Sequence, residues 1–331
     1  MKKHTKKTIL ITGGAGYIGS FLVNFFKKKF KIFIIDDLSL GKKIQIRSSN
    51  FFKFNLCHKE KLDSFFKKNS VDIVFHLAGH SNLRLSNKQK KKFYLNNYIA
   101  TKNIVNASIK YNVKKFIFSS TASVYGNRNI TFTENSACRP ISIYGKSKLN
   151  AENYIKKKSK KNFSCIIFRF FNVAGASIKE RLGERKNPPE HFIPIITKSL
   201  ISLNKITLFN GFKTEDGTGI RDYVHVSDII QAFKRALNYF PKMKKKYEVF
   251  NLGSNSSISS LKILIKLFKF YNKKVPILFK KKGYGEPDKL LSSIVKAKKI
   301  LNWKPKKNIN KILKDSVSWE EFIKLDKYRG K

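Results

Sequence analysis

The stretch Thr-Ile-Leu-Ile-Thr-Gly-Gly-Ala-Gly-Tyr-Ile-Gly, residues 8–19, decides the fold class of this 331-residue chain. An apolar run rich in β-branched residues is followed at once by glycines in the pattern Gly-x-x-Gly-x-x-Gly, which from Gly14 also reads Gly-x-Gly-x-x-Gly. Glycines serve where a pyrophosphate approaches the backbone closely and a helix N-terminus offers unpaired N–H groups. The stretch therefore predicts a buried strand, a phosphate-binding turn and a helix.

The same alternation of short apolar runs and helical segments continues to about residue 172. The predicted strands are residues 8–12, 31–35, 72–77, 115–119 and 164–170, and the predicted helices are residues 17–29, 59–68, 96–111 and 144–158. Strands buried on both faces that alternate with helices are typical of a parallel sheet covered on both sides. We therefore predict an α/β fold. It has a Rossmann-type doubly wound parallel sheet in residues 1–172, a return strand near residues 247–253, and a smaller C-terminal substrate-binding lobe in residues 173–331.

Asp36 follows directly after the second predicted strand. A carboxylate at this point can accept hydrogen bonds from both hydroxyls of an adenine ribose, whereas it would repel the 2′-phosphate of NADP. Strand, glycine turn, helix, strand and acid in this order predict a dinucleotide site, and the acid favours NAD. The alternative role of Asp36 is that of a plain turn residue before Asp37.

A candidate catalytic pair, Tyr144 and Lys148, lies four residues apart on a predicted helix and therefore on one helix face. A phenol with a pKa of about 10 is a poor base at neutral pH. A nearby ammonium and a positively charged nicotinamide ring would lower that pKa. Thr121, at the end of a neighbouring predicted strand, can hydrogen-bond the same substrate oxygen. Tyr-x-x-x-Lys alone also occurs as a surface pair, but beside a dinucleotide site it predicts hydride-transfer machinery.

The largest compositional feature is a formal net charge of +49, from 70 Lys and Arg against 21 Asp and Glu. Such a charge is common in proteins that bind nucleic acid or anionic membranes. A hydrophobic content of 41%, with 29 Phe, excludes a disordered basic tail. The lysine runs fall at predicted helix ends and loops along the whole chain, which favours a solvated surface and no nucleic-acid partner. The alternative to an enzyme is a non-catalytic, basic nucleic-acid-binding protein on a Rossmann scaffold.

The N-terminal region and the cysteines indicate the cellular setting. The apolar stretch behind the basic N-terminus is too short for a signal peptide, and no run reaches the roughly 18 apolar residues of a membrane span. Cys57, Cys138 and Cys165 are odd in number and widely spaced, and the six His show no ligand spacing. We therefore expect no disulfide, no metal, no membrane association and a cytoplasmic location.

Further motifs give the chain a resemblance to the extended short-chain dehydrogenase/reductase superfamily and, within it, to the UDP-glucose 4-epimerase family. The resemblance covers about Thr8 to Trp303 and is carried by residues 12–20, 75–79, 116–120, 144–149, 169–176, 214–226 and 250–253. The most specific motif is Thr-Glu-Asp-Gly-Thr-Gly-Ile-Arg-Asp-Tyr-Val-His-Val at 214–226, because it is an unusually long run.

The resemblance implies an isomerase that retains NAD as a prosthetic group and inverts C4 of a UDP-hexose through a transient 4-keto sugar. In that family the residue matching Tyr144 takes the proton of the sugar 4-hydroxyl, and Thr121 keeps the usual hydroxyl role. The implied cofactor-binding residues are Gly13, Gly16, Tyr17, Ile18, Asp36, Asp37, Asn55, Leu56, Leu77, Ala78, Gly79, Asn97, Ser119, Tyr144, Lys148 and Phe170. The implied substrate-binding residues are Thr121, Tyr144, Phe171, Asn172, His191, Phe192, Arg221, Tyr223, Lys282 and Glu286. The implied partners are a UDP-sugar and a second copy of the chain in a homodimer.

Some positions distinguish this chain from related enzymes, and others depart from the family pattern. Ala122 and Ser123 stand where related dehydratases and decarboxylating enzymes carry acids, so those reactions are disfavoured. Asn55 stands where the family usually has Asp, and Lys282 lacks the bidentate fork of the usual Arg. Aliphatic Leu290 lies near the position that gates 2-acetamido sugars. UDP-N-acetylglucosamine or a UDP-uronic acid therefore stays open beside UDP-glucose.

Overall fold

The structure, a computed structural model, describes residues 6–43, 46, 50–283 and 286–329. Its strands are β1 (Thr8–Thr12), β2 (Lys31–Asp36), β3 (Phe51–Lys53), β4 (Ile73–His76), β5 (Lys115–Thr121), β6 (Thr131–Phe132), β7 (Ser164–Phe170), β8 (Asn172–Ala174), β9 (Ile206–Asn210), β10 (Ile220–His225), β11 (Tyr247–Leu252), β12 (Ser257–Ser259), β13 (Ile277–Lys281) and β14 (Lys289–Ser292). Its α-helices are α1 (Tyr17–Phe26), α2 (Lys59–Lys68), α3 (Leu83–Lys88), α4 (Lys90–Phe93), α5 (Ala100–Lys110), α6 (Ile143–Lys158), α7 (Phe192–Ile201), α8 (Val226–Tyr239), α9 (Ser260–Tyr271), α10 (Val295–Leu301) and α11 (Ile309–Arg329). A π-helix spans Tyr94–Ile99, and short 3-10 helices span Ala122–Val124 and Phe240–Lys242.

Seven strands form one sheet in the order β11-β7-β5-β4-β1-β2-β3. The pairs β1–β2, β1–β4, β2–β3 and β4–β5 are all parallel. The strand order reverses between β1 and β4, and in open α/β sheets a ligand crevice lies at the carboxyl ends of the strands at such a switch point. The predicted Rossmann-type doubly wound sheet is confirmed.

Both faces of this sheet are buried. On one face, Leu10 and Phe116 belong to a core that includes residues of α2, α5 and α6. On the other, the Phe75 ring lies edge-on to Phe26 of α1 and Phe233 of α8, at 5.5 and 5.0 Å between ring centroids. Burial on both sides explains why the strands read as continuous apolar runs rather than as alternating ones.

Several predicted elements differ from the observed ones at their ends. The bounds of β1, β7 and α2 are those predicted, but α1 ends at Phe26, three residues early, where Lys29 N donates to Phe26 O in a turn. The helix predicted at residues 96–111 is instead the π-helix followed by α5. A π-helical turn holds an extra residue, and a search for the regular helical period passes over it.

The chain forms two compact units. The first is drawn from Met1–Thr121, Ile143–Arg169 and Phe233–Phe250, and the second from Ala122–Ser142, Phe170–Ala232 and Asn251–Lys331. The second unit contains a sheet in the order β12-β10-β14-β6, with β8 beside β10, and a separate β9–β13 pair. Its core is built on α7, α9 and α11, with Ile196, Leu264 and Leu313 fully buried. The assignment of cofactor binding to residues 1–172 and of UDP-sugar binding to residues 173–331 stays a prediction.

Two absences hold for the part of the chain that the structure describes. None of its helices is both long and apolar enough to cross a membrane. No group of three or more His, Cys, Asp or Glu side chains there is placed to hold a metal ion.

Candidate active site

The glycine-rich turn after β1 brings two strand ends close together. Gly13 has φ +71°, and its N–H donates to Ile35 O at 2.9 Å. A Cβ on Gly13 would lie 2.6 Å from Ala78 N, so only glycine allows the turn to approach the segment after β4. Helix α1 begins after Gly16, which gives the first turn no side-chain cap. The first-turn N–H groups are of the kind that bind a phosphate.

Asp36 ends β2 beside this turn and is buried. Its carboxylate accepts hydrogen bonds from Ala15 N at 3.0 Å and from Leu38 N at 2.8 Å. Burial raises the pKa of Asp36, and the two backbone hydrogen bonds oppose that shift. Because an ionised carboxylate offers about four lone-pair sites, acceptor capacity is left for ribose hydroxyls.

A cleft in the first unit brings together nine of the predicted cofactor-binding residues. They are Gly13, Gly16, Asp36, Asp37, Asn55, Leu56, Leu77, Ala78 and Gly79. The predicted residues outside its lining are Tyr17, Ile18, Asn97, Ser119, Tyr144, Lys148 and Phe170. Sequence reasoning missed eight lining residues: Ile35, Ser39, Leu40, Gly41, Phe54, His80, Asn96 and Ala100. Most of the missed residues follow the carboxyl ends of β2, β3 and β4, and that position was the signal that could have identified them.

Asn55, where the related family usually has an acid, contacts its neighbours through all its polar atoms. Its Nδ2 donates to Asp37 Oδ2 at 2.7 Å and to Asn96 Oδ1 at 2.9 Å, and its Oδ1 accepts from Cys57 N at 2.9 Å. Burial opposes the ionisation of Asp37, but hydrogen bonds from Ser39 and Asn55 outweigh it and lower the pKa of Asp37. The amide therefore stabilises the Asp37 carboxylate instead of adding a third carboxylate to the cleft.

Tyr144, on α6, is buried and forms a side-chain hydrogen bond with Thr121, the last residue of β5. Burial raises the pKa of Tyr144, and the hydrogen bond from Thr121 opposes that shift. The sequence predicted a lowered pKa, with Lys148 as one cause. The polypeptide alone raises it instead, because burial removes the phenol from water. The lowered pKa with NAD bound stays a prediction.

Lys148 lies one helical turn after Tyr144 and is also buried. Its Nζ donates to Ser119 O at 2.9 Å and lies 4.7 Å from the centroid of the Phe118 ring. Burial lowers the pKa of Lys148 to about 8, and the carboxylate of Glu152 opposes that shift. The structure therefore brings all three predicted catalytic side chains to the contact of α6 with the end of β5.

His76, at the end of β4, is fully buried near Lys148. Its Nδ1 lies 2.7 Å from Thr12 Oγ1, and its Nε2 lies 2.9 Å from Thr101 Oγ1. Burial and the charge of Lys148 hold the pKa of His76 well below its usual value. A neutral imidazole therefore joins β1, β4 and α5 beneath the site.

Asn97, predicted to be near the cofactor, lies in the π-helix and positions the chain after β4. Its side chain accepts from His80 N at 2.7 Å and donates to His80 O at 3.1 Å and Ser147 Oγ at 3.0 Å. A Cβ on Gly79 would lie 2.7 Å from Asn97 Oδ1. The π-helical turn thus places one amide against both the cleft-lining segment and α6.

In the second unit, paired strands bring two predicted substrate residues together. Asn172 of β8 lies opposite Tyr223 of β10, and its Nδ2 donates to Asp222 O at 3.1 Å. Burial raises the pKa of Tyr223, so its phenol is neutral at ordinary pH. Phe170 and Phe171, just before Asn172, are buried.

Arg221 and Lys282 both lie over the ring of Phe212, with Arg221 Cζ 5.6 Å and Lys282 Nζ 5.0 Å from its centroid. Lys282 Nζ pairs with Asp288 Oδ1 at 2.5 Å, and Arg221 donates to Asp288 O at 3.2 Å. Glu286 lies between β13 and β14. Two predicted substrate residues therefore share one aromatic ring, and the Lys282 ammonium already has an anionic partner.

His191 precedes α7, and its Nδ1 lies 2.8 Å from both carboxylate oxygens of Glu184. The Glu184 carboxylate raises the pKa of His191. Glu184 O also accepts from Trp319 Nε1 at 2.9 Å, and Phe192 packs against the core of this unit. These contacts give both residues a structural role, and their contact with substrate stays a prediction.

The chain is similar to known proteins over most of its length. Residues 9–253 match the NAD dependent epimerase/dehydratase family. The chain belongs to this family. The chain is 35% identical over 320 residues to the UDP-glucose 4-epimerase of Streptococcus mutans serotype c, an alignment that covers 94% of this chain and 96% of that one.

Two solved structures of epimerases are similar to this member of the epimerase/dehydratase family. The UDP-glucose 4-epimerase from Bifidobacterium longum, in complex with NAD+ and UDP, has a TM-score of 0.89 and 26% identity, over 96% of this chain and 98% of that one. The UDP-Glc/GlcNAc 4-epimerase from Campylobacter jejuni has a TM-score of 0.81 and 32% identity, over 96% and 99%.

Membership of this epimerase/dehydratase family confirms the predicted NAD cofactor. The residues present fit that group. A side chain at Gly13 would fill the space against Ala78, the first turn of α1 lacks a side-chain cap, and Asp36 ends the neighbouring strand. Together they form a pyrophosphate turn and a ribose acceptor in one cleft.

Proposed function

We propose that this family member is a UDP-glucose/UDP-galactose 4-epimerase, an isomerase with tightly bound NAD. The observation that carries the proposal is the hydrogen bond between Tyr144 and Thr121, with Lys148 one helical turn away. It occurs in a chain 35% identical, over 94% of its length, to a UDP-glucose 4-epimerase. The phenol, the hydroxyl and the ammonium are the groups that proton exchange at a sugar hydroxyl requires.

Residues of the first unit would hold the cofactor. Gly13 and Gly16 would face the pyrophosphate, Asp36 the adenine ribose, and Leu77 and Ala78 the dinucleotide path. NAD, when bound, takes a hydride from C4 of the sugar and gives it back, so the same molecule serves every turnover.

Tyr144 would move the proton that accompanies the hydride. As C4 is oxidised, the phenolate oxygen of Tyr144 would take the proton of the 4-hydroxyl and become a neutral phenol, which leaves a 4-keto sugar. In the return step Tyr144 would give this proton back to the 4-oxygen and become a phenolate again, so charge and atoms balance. Thr121 would orient the 4-oxygen, and the positive charge of Lys148 would stabilise the phenolate form of Tyr144.

An epimerase fits this member of the family better than a dehydratase. Elimination of water needs a general acid beside the Tyr144–Thr121 pair, and the two residues after Thr121 are Ala122 and Ser123. Neither a methyl group nor an aliphatic hydroxyl can act as that acid near neutral pH.

The second unit would bind the UDP part of the substrate. We assign contacts there to Asn172, Arg221 and Tyr223, with Phe171, His191, Phe192, Lys282 and Glu286 as further members of the set. Arg221 supports this assignment best, because a guanidinium suits a diphosphate.

We further propose a cytoplasmic homodimer without a nucleic-acid partner. The absence of paired cysteines supports a reducing compartment. The spread of Lys residues over helix ends and loops supports a solvated surface rather than a nucleic-acid footprint. The segments at residues 96–111 and 144–158 are the proposed dimer helices, by resemblance to the family.

A second candidate function is epimerisation of UDP-N-acetylglucosamine. Leu290, at the position implied to gate the acetamido group, is buried and pairs with Arg221 in the β14–β10 register. The Campylobacter jejuni relative, at 32% identity, is a UDP-Glc/GlcNAc 4-epimerase. Parallel trials with both UDP-sugars and with a UDP-uronic acid, followed by proton NMR at C4, separate these substrates.

The proposal is tested with purified protein and UDP-galactose, without added NAD. UDP-glucose should appear, and Tyr144→Phe should lower kcat by at least about 10²–10⁴-fold while NAD stays bound. Tyr154→Phe is the matched control, because Tyr154 is also on α6 but donates to Asn106 at an exposed position. Near-normal turnover by Tyr144→Phe would remove Tyr144 from the mechanism.

A further inference from the structure

A buried carboxylate on α6, Glu152, has no part in the mechanism above. It lies one turn after Lys148 and two turns after Tyr144, and its side chain is fully buried. It accepts from Arg169 Nε at 3.0 Å and from Arg169 Nη2 at 2.7 Å. Burial opposes its ionisation, but these contacts outweigh burial and lower the pKa of Glu152. A buried carboxylate held by a two-pronged guanidinium has a well-defined position.

Ser120 connects this carboxylate to β5. Its Oγ donates to Glu152 Oε1 at 2.5 Å. Ser120 stands between Ser119, whose carbonyl accepts from Lys148, and Thr121, which bonds to Tyr144. Three successive residues at the end of β5 therefore contact three residues of α6 that are spaced one turn apart and share one helix face.

We propose that Glu152 is a positioning residue which, through Ser120, holds the end of β5 in register with α6. In that register Thr121 reaches Tyr144 and the Ser119 carbonyl reaches Lys148. The inference rests on the proposed 4-epimerase function for its kinetic test. Misplacement of a reacting group by about 1 Å is enough to cost about 10²-fold in rate, so a hydrogen bond outside the reacting set can still control turnover.

The charges around this contact decide which variant tests it. Arg169 of β7 and Lys156 of α6, whose Nζ lies 3.3 Å from Glu152 Oε2, balance the carboxylate, and His76 of β4 is neutral beneath Lys148. Removal of Glu152 would leave the buried Arg169 without its anion, which is strongly destabilising. Ser120→Ala removes only the connection to β5 and leaves the ion pair in place.

The first test compares Ser120→Ala with wild type as full-length, NAD-containing protein. We expect kcat for UDP-galactose to fall about tenfold to hundredfold, with KM changed by less than about twofold, because the buried Ser120 hydroxyl donates to Glu152. The matched control is Ser159→Ala. It removes another buried hydroxyl just after α6, one that donates to Ile155 O at 2.8 Å within its own segment.

The second measurement follows the ionisation of Tyr144 directly. A phenolate difference spectrum against Tyr144→Phe should show Tyr144 titrating at higher pH in Ser120→Ala, because the Thr121 hydrogen bond that lowers its pKa is weakened. Ser159→Ala should leave this titration unchanged. A purely structural role of Ser120 would lower the melting temperature without moving the titration.

Three results would overturn the inference. They are a wild-type kcat in Ser120→Ala, an unmoved Tyr144 titration, and additive losses of ln kcat in Ser120→Ala combined with a folded Glu152→Gln, since two members of one connection act non-additively. Failure of the wild-type protein to epimerise any of the three UDP-sugars would instead refute the proposed function. The Tyr144 titration would still test the positioning role in that event.

Discussion

The Lys148 ammonium donates to the carbonyl of Ser119 at 2.9 Å, two residues before the hydroxyl that bonds to Tyr144. The same strand end therefore anchors the proposed general base and the cation proposed to support it. The hydrogen bond fixes the position of the ammonium, and burial lowers the pKa of Lys148 to about 8. This relationship predicts how activity depends on pH.

We expect kcat/KM for UDP-galactose to fall as the pH rises through about 8. The lowered pKa means that Lys148 is cationic below that value and neutral above it, and the neutral amine cannot stabilise the phenolate of Tyr144. A rate profile from about pH 6 to about pH 10 measures the alkaline limb. Lys148→Arg, whose guanidinium stays charged, should lose this limb; a limb at the same pH in that variant would assign it to another group.

Asp36→Ala should weaken NAD binding by about tenfold to hundredfold, because it removes a charged acceptor and frees two backbone N–H groups in the cleft. The measurement is the NAD-to-protein ratio after purification and dialysis. The control is Asp63→Ala, whose carboxylate pairs with Lys67 and Lys110 on the surface. Unchanged NAD retention in Asp36→Ala would contradict the ribose role.

Gly13→Ala should destabilise the protein and prevent NAD from binding in the cleft. Gly13 has φ +71° and a Cβ there would lie 2.6 Å from Ala78 N, so the variant adds a backbone clash to left-handed strain. Gly217→Ala is a matched control, because Gly217 has φ +68° with nothing within 4 Å of its Cβ position. Strain alone costs about 1–2 kcal/mol. Urea unfolding should therefore show a larger loss at Gly13, and equal losses would mean that the clash relaxes away.

His191 should stabilise the protein most at acidic pH. The Glu184 carboxylate raises the pKa of His191 in the folded protein. The ion pair therefore contributes its whole stabilisation below the pKa of the unfolded chain, about 6.5, and loses it as the pH rises through the folded pKa. The difference in free energy of unfolding between wild type and His191→Gln should be larger at about pH 6 than at about pH 9. The imidazole is partly exposed, so solvent reduces the effect. Exposed His58→Gln serves as the control, and a pH-independent difference would show that the ion pair contributes nothing.

Most of the sheet follows from the sequence because both of its faces are buried, so each strand reads as one apolar run between helices. The three-residue strand β3 was not predicted, since Phe51–Lys53 is too short to show a period. The π-helix was not predicted either, because it continues directly into α5 and no Gly or Pro marks the change. The edge strand β11 comes from a segment far along the chain, at the position where the return strand was predicted.

Some residues of the candidate site could likewise be predicted from the sequence, and others could not. Gly13, Asp36, Tyr144 and Lys148 stand in local patterns whose spacing carries their chemistry, so one sequence is enough to suggest them. Glu152 could not be identified in this way, because its contact with Ser120 joins residues 32 positions apart and no spacing marks it. The burial that raises the Tyr144 pKa in the polypeptide could not be predicted either, since burial depends on the packed structure.

The two threonines around His76 determine where its ring proton sits. Thr101 Oγ1 donates its one hydrogen to Asn97 O at 2.6 Å, so toward His76 it can only accept. Nε2 of His76 must therefore carry the ring proton. The neutral ring then has a bare Nδ1, which accepts from Thr12. Donors and acceptors therefore run in a single direction from the glycine turn to α5. The neutral imidazole therefore has one allowed tautomer, and a proton gained at Nδ1 would reverse the hydrogen bond, with the Thr12 hydroxyl as its acceptor.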